Sequence, residues 1–158
     1  MLQTQVRSDL PEGAAGIEPR PYKRILVAYE ASASSNLALR TGRELSLLSK
    51  ADLFVAAVQR LPTSDSAEAF QAVVNSALSR YQENFSRVRV AGMNEGMRVE
   101  TFIALGDPAV YLVRKSQQLR VSLLIIAAAA FGEGEDEEAD SVCARIVREA
   151  TCPVLVTP

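Results

Sequence analysis

Two stretches of this chain gather residues able to do chemistry. The first follows a short apolar run and reads Glu30-Ala31-Ser32-Ala33-Ser34-Ser35, one carboxylate beside three hydroxyls. The second, Phe131-Gly132-Glu133-Gly134-Glu135-Asp136-Glu137-Glu138-Ala139-Asp140, carries six carboxylates and ends at Ser141, where a helix is expected to begin. Carboxylate oxygens suit hard divalent cations. The spacing is not that of an EF-hand loop, however, and an acidic run of this kind is ordinarily solvated. No metal site is therefore expected there, and contact with a partner protein is the other use open to it. Asp140 or Ser141 serves as a helix cap whether or not it touches a ligand. The chain has no histidine, which removes imidazole-based triads, the usual proton shuttle and most zinc sites. Cys143 and Cys152 form no CxxC motif and read as structural thiols of a reducing compartment. No nucleophile, base and orienting group can be assembled, so no catalytic residue is expected.

Those stretches are placed by a regular alternation of elements. Arg24-Ile25-Leu26-Val27-Ala28-Tyr29 is continuously apolar after its first residue, as a strand covered on both faces should be. Leu37, Thr41, Leu45 and Leu48 then recur at helical spacing and predict an inward helix face. Leu53 to Val58 reads as a second buried strand. Asp65-x-x-Glu68 looks like a capping box opening a long helix with Phe70, Val74, Ala77, Tyr81, Phe85 and Val88 as its stripe, broken at Gly92 and Gly96. Arg98 to Ala104 is a third strand. Gly106-Asp107-Pro108 starts a helix running to about Leu119, with Asp as cap and Pro where its missing N–H costs nothing. Leu123 to Ala127 is a fourth strand. Val142, Ile146 and Ala150 face inward on a last helix, and Pro153 to Val156 forms a fifth strand.

Strands joined by helices make parallel pairs with right-handed crossovers. The expected fold is α/β, a doubly wound five-stranded parallel sheet flanked by four helices. Ligands in such sheets bind beyond the carboxyl ends of the strands at the switch point. That locates the candidate site at the loop after the first strand, the end of the second and the loop after the fourth. The chain's 158 residues suit one domain, residues 22–158, behind a Pro- and Gly-containing polar segment, residues 1–21, expected to be a disordered tail. A net charge of −2 and a pI near 5.3 give no general attraction to nucleic acid or anionic membranes. No apolar run approaches the ~20 residues of a membrane span, and no signal peptide is evident at the start. A cytoplasmic location is expected.

Three segments in order resemble the universal stress protein family: the opening RILVAYEASASSNLAL, the Gly106-Asp107-Pro108 step, and the closing SVCARIVREATCPVLVTP. The resemblance covers residues 22–158 and implies the strand order 3-2-1-4-5 of the adenine nucleotide alpha hydrolase-like fold. Glu30 takes the position of the family's Asp, which contacts ribose or adenine, and Val58 matches a position lining the adenine pocket. Many members bind ATP through G-x-x-G-x(9)-G-[ST]. Counted back from Ser141, its glycine positions fall on Ala127, Ala130 and Asp140, so all three glycines are missing. Glycine lets backbone N–H groups approach phosphate closely. A methyl or a carboxylate blocks that approach, and like charges at 4 Å repel by ~1 kcal/mol even in bulk water, as much as the ~0.3–1 kcal/mol a helix dipole offers. ATP and AMP are thus disfavoured, and the chain looks more like the branch of universal stress protein A, which lacks the phosphate motif. The resemblance implies a non-enzymatic stress-response regulator. It would pair as a homodimer through the edge strand residues Val154, Leu155 and Val156 and act on an unidentified protein partner. The alternatives are an adenine-nucleotide switch or slow ATPase, or a subunit holding another cofactor.

Overall fold

The computed structural model describes residues 22–63, 65–132 and 141–158. The expected tail, residues 1–21, and the acidic stretch through Asp140 from residue 133 lie outside the described residues. Among the described residues nine elements alternate: β1 (Arg24–Tyr29), α1 (Ala33–Ser49), β2 (Asp52–Gln59), α2 (Ala67–Asn94), β3 (Val99–Leu105), α3 (Pro108–Gln118), β4 (Leu123–Ala127), α4 (Val142–Glu149) and β5 (Val154–Thr157). The strands form one parallel sheet in the order β3-β2-β1-β4-β5. The architecture and strand order are those expected from the sequence. The chain steps from β1 to β2 to β3 in one direction, then returns past β1 to β4 and β5. Right-handed crossovers therefore put α1 and α2 on one face and α3 and α4, which touch each other, on the other.

Register explains the long apolar runs. Leu26 lies between Phe54 of β2 and Leu124 of β4, and Val27 between Val55 and Ile125. With helices on both faces, alternation has no purpose, and β1 after Arg24, the middle of β2 and all of β4 are buried. The helix starts use local chemistry. Ser32 and Ser35 cap α1 reciprocally, and Asp107 accepts from the Val110 N–H with Pro108 in the first turn of α3. For α2 the cap is Ser66, which accepts from Ala69 N–H, and not the expected Asp65.

Two further expectations are corrected. The inner face of α1 is Ser35, Ala38, Gly42 and Ser46, while Leu37 and Leu48 point outward, 38% and 82% exposed. Only Leu45 of the expected stripe, joined by Leu39, packs on the core. Small residues win because α1 lies close on the sheet: a Cβ at Gly42 would stand 2.4 Å from Val27 Cγ2. Gly92, expected to end α2, lies inside it and is buried for the same reason, since its Cβ would meet Val99 Cγ2 at 2.2 Å. Of the expected α2 stripe, Ala77, Tyr81 and Phe85 are buried and Val88 packs on the core, whereas Phe70 at its start is exposed.

Candidate functional site

β1 has β2 on one side and β4 on the other, and the chain leaves it in opposite directions. The crevice at the carboxyl ends of these strands is the switch point. Tyr29, the last residue of β1, is buried and stands in an aromatic cluster. Its ring centroid lies 6.3 Å from Tyr81 and 5.8 Å from Phe85, which stack at 6.0 Å on α2. Its hydroxyl donates to Asn36 Oδ1 at 3.0 Å and accepts from Asn84 Nδ2 at 3.2 Å. Burial, and then the charge of neighbouring Tyr81, push the Tyr29 hydroxyl further above its ordinary range. It is a fixed strut under the crevice, with no capacity as a base near neutral pH.

Above this cluster the two loops reach toward each other. After Glu30 the backbone turns through a left-handed residue, Ala31 at φ 65°, into the α1 cap. After β4 it turns through Ala128 to Ala130 into Phe131 and Gly132, at φ 67° and 70°. Non-glycine residues in this region carry about 1–2 kcal/mol of strain each, held here by specific bonds. Ala128 N–H donates to Thr157 C=O at 2.8 Å and Ala130 N–H to Ala127 C=O at 3.0 Å. Phe131 N–H donates to the Glu30 carboxylate at 2.6 Å, across 101 residues of sequence. The amides that follow β4 at positions 128, 130 and 131 are thus all engaged within the protein. Among the described residues, a cleft of about 160 Å³ lies between the loops, bounded by Glu30, Val58, Arg60, Arg80, Tyr81 and Phe131.

The residues singled out from the sequence divide accordingly. Glu30 reaches the crevice but bonds to the loop opposite. Val58 forms part of the cleft wall while only 2% exposed, so it is chiefly core. Ala127 and Ala130 are buried at the turn below the cleft. Ser141 accepts from the Ala144 N–H at 3.1 Å and caps α4. Asp140 lies outside the described residues. Val154, Leu155 and Val156 belong elsewhere, on the edge strand β5, where Leu155 and Val156 are 36% and 42% exposed.

A second polar contact lies nearby. Asp107, besides capping α3, accepts from Arg145 Nη1 of α4 at 2.7 Å. Burial pushes this carboxyl up, but the Arg145 guanidinium, the Val110 N–H and the charge of Arg60 outweigh it and hold the group below the usual carboxylate range. The Asp was legible as a cap; its partner, 38 residues on, was not. Arg60 and Arg80 were also missed, since nothing in their local sequence marks them, and Phe131 was read only as the start of the acidic stretch. Burial pushes both thiols up, at Cys143 on α4 and at half-buried Cys152, where contacts with Ser116 and the backbone oppose it. Among the described residues no cluster of His, Cys, Asp or Glu is placed to hold a metal ion, and no helix is long and apolar enough to cross a membrane.

A sequence model described as the universal stress protein family matches residues 21–158. No curated protein matches the chain. Among solved structures, universal stress protein UspA from Lactobacillus plantarum is 17% identical, with a TM-score of 0.69 over 87% of this chain and 98% of that one. A universal stress family protein from Burkholderia pseudomallei is 23% identical, with a TM-score of 0.70 over 87% and 96%. A universal stress protein from Archaeoglobus fulgidus, solved in complex with dAMP, is 18% identical, with a TM-score of 0.62 over 87% and 99%.

Proposed function

This chain belongs to the universal stress protein family, and we propose that it is a non-enzymatic, cytoplasmic regulatory member of the branch without the phosphate motif. It acts by pairing with a second copy through β5 and by contacting a protein partner, with its nucleotide crevice closed. The observation that carries this reading is the hydrogen bond from Phe131 N–H to Glu30. A phosphate cradle needs free backbone amides aimed at the ligand. Here the amides of residues 128, 130 and 131 have other partners, the last of them a carboxylate that also repels anions. The cleft that the described residues bound, about 160 Å³, is well short of the roughly 300 Å³ at which ligand sites begin. Glutamate, one methylene longer than the aspartate it replaces, has the reach for this contact.

The test is isothermal titration of the full chain with ATP and with AMP, each with and without Mg²⁺. The expected result is no heat, and no nucleotide in a denatured extract of the purified protein. Micromolar binding would overturn the closed-crevice reading. It would favour the second reading, an adenine-nucleotide switch, which is supported by the relatives solved with dAMP, cAMP and AMP.

A further inference from the structure

On the face of the sheet that carries α1 and α2, the two helices leave a groove between them. Met97, above the fully buried Leu53 of β2, forms its floor, Leu39 stands on the α1 wall, and Val88 and Ala91 stand on the α2 wall, around a space of about 330 Å³. That is the lower end of the range for small-molecule sites. The rim differs in kind from the floor. Arg40 and Arg43 come from α1 and Arg87 from α2, and no carboxylate lines the groove. Arg43 is neutralised by a two-pronged pair with Glu95. Arg87 pairs with Glu83 one turn back on its own helix at 2.5 Å, both side chains 75% exposed. Such an exposed pair is weak and easily exchanged. Arg40 has no ion-pair partner among the described residues.

We propose that the groove between α1 and α2 binds a small amphipathic monoanion, an unbranched acyl carboxylate of medium chain length. Its chain lies on Leu39, Val88, Ala91 and the edge of Met97, and its carboxylate sits between Arg40 and Arg87. Two cationic forks on opposite walls, with no acid between them, are complementary to one carboxylate, which guanidinium binds with two parallel bonds. The apolar floor gives the chain its affinity. Size decides against a protein partner: a specific interface takes roughly 20–30 residues a side, and nine residues line this groove. The site is separate from the crevice and from β5, so its fate is independent of the function proposed above.

The test is calorimetry of the full chain with hexanoate, octanoate and decanoate below their micellar concentrations, with decanol as the neutral analogue. Affinity is expected to rise about three- to fourfold per methylene until the groove is full. Decanol should bind at least about tenfold more weakly than decanoate, because it lacks the charge-assisted bonds. Arg40→Glu and Arg87→Glu, both on the surface, should each weaken decanoate about tenfold, and Ala91→Phe, which fills the groove, should abolish binding. Methyl resonances of Leu39 and Val88 should shift on titration. Absence of heat with millimolar decanoate overturns the proposal. So does binding that survives Arg40→Glu with no shift at Leu39 or Val88, which places the ligand elsewhere. Binding to anionic vesicles with none to free decanoate also overturns it, in favour of a membrane surface. Should Ala91→Phe fail to fold, the arginine variants and the methyl shifts decide.

Discussion

Asp107 and Glu30 are both carboxylates at loop ends, and their surroundings give them different work. Asp107 caps α3 and binds Arg145. Removing a cap costs about 1 kcal/mol, and a half-exposed ion pair adds at most about 1 kcal/mol. Asp107→Ala is therefore expected to lower stability by about 1–2 kcal/mol at pH 7 in urea denaturation. Asp107→Asn, which still caps, should lose less than half of that. The pH dependence follows from the lowered folded-state value of this carboxyl. Its stabilisation is complete above the unfolded aspartate range, near pH 3.9, and is lost as pH falls through the folded value below it. The gap between parent and Asp107→Ala should thus narrow as pH falls below the unfolded aspartate value of about 3.9. Glu30 has no such helix to cap; it holds the Phe131 amide. Glu30→Ala should speed hydrogen exchange at the Phe131 amide by about tenfold or more, the equivalent of the 1.5–3 kcal/mol of a charged hydrogen bond. Unchanged exchange would show that the two loops hold each other by other means.

At the scale of the element, α1 reverses the usual rule that large apolar residues mark the inner face of a helix. Its buried positions are Ser35, Ala38, Gly42 and Ser46, and close approach to β1 and β4 is what buries them. Gly42→Ala sharpens the point. Alanine is the better helix former by about 1 kcal/mol, so an uncrowded site would be stabilised. Here the methyl would stand 2.4 Å from Val27 Cγ2, in a fully buried strand residue. Overpacking costs about 1–3 kcal/mol, and a net loss of about 1 kcal/mol is expected in chemical denaturation. A stabilised Gly42→Ala would mean that α1 can lift from the sheet at little cost. The same close fit leaves Leu39 and the α2 residues Val88 and Ala91 to line the arginine-rimmed groove.

For the whole molecule, the two sheet edges differ. β3 is half-buried along its length, whereas β5 is a four-residue strand with Leu155 and Val156 exposed and Val147 of the neighbouring α4 53% exposed. An apolar, unpaired edge invites a further strand, and a two-fold copy of the same strand supplies one without leaving a new edge. Leu155→Lys should convert a dimer to a monomer by light scattering with little change in monomer stability, since the side chain is exposed. A dimer mass retained in Leu155→Lys would remove β5 from the interface, and a monomeric parent would remove the dimer from the proposed function.

Local chemistry was legible because its partners are close in sequence. The apolar runs of β1, β2 and β4, the Asp107-Pro108 helix start and the Ser141 cap are all short-range patterns, and they led to the sheet and its connections. Contacts between distant segments left no such trace. The Glu30–Phe131 bond spans 101 residues and the Asp107–Arg145 pair 38. The inward turn of the small residues of α1 depends on how near that helix lies to Val27. Hydrophobic periodicity reports which side chains avoid water, not how closely two backbones approach. The side chains at such an approach are small, so they carry the weakest hydrophobic signal, and only the packed sheet and helices reveal what they touch.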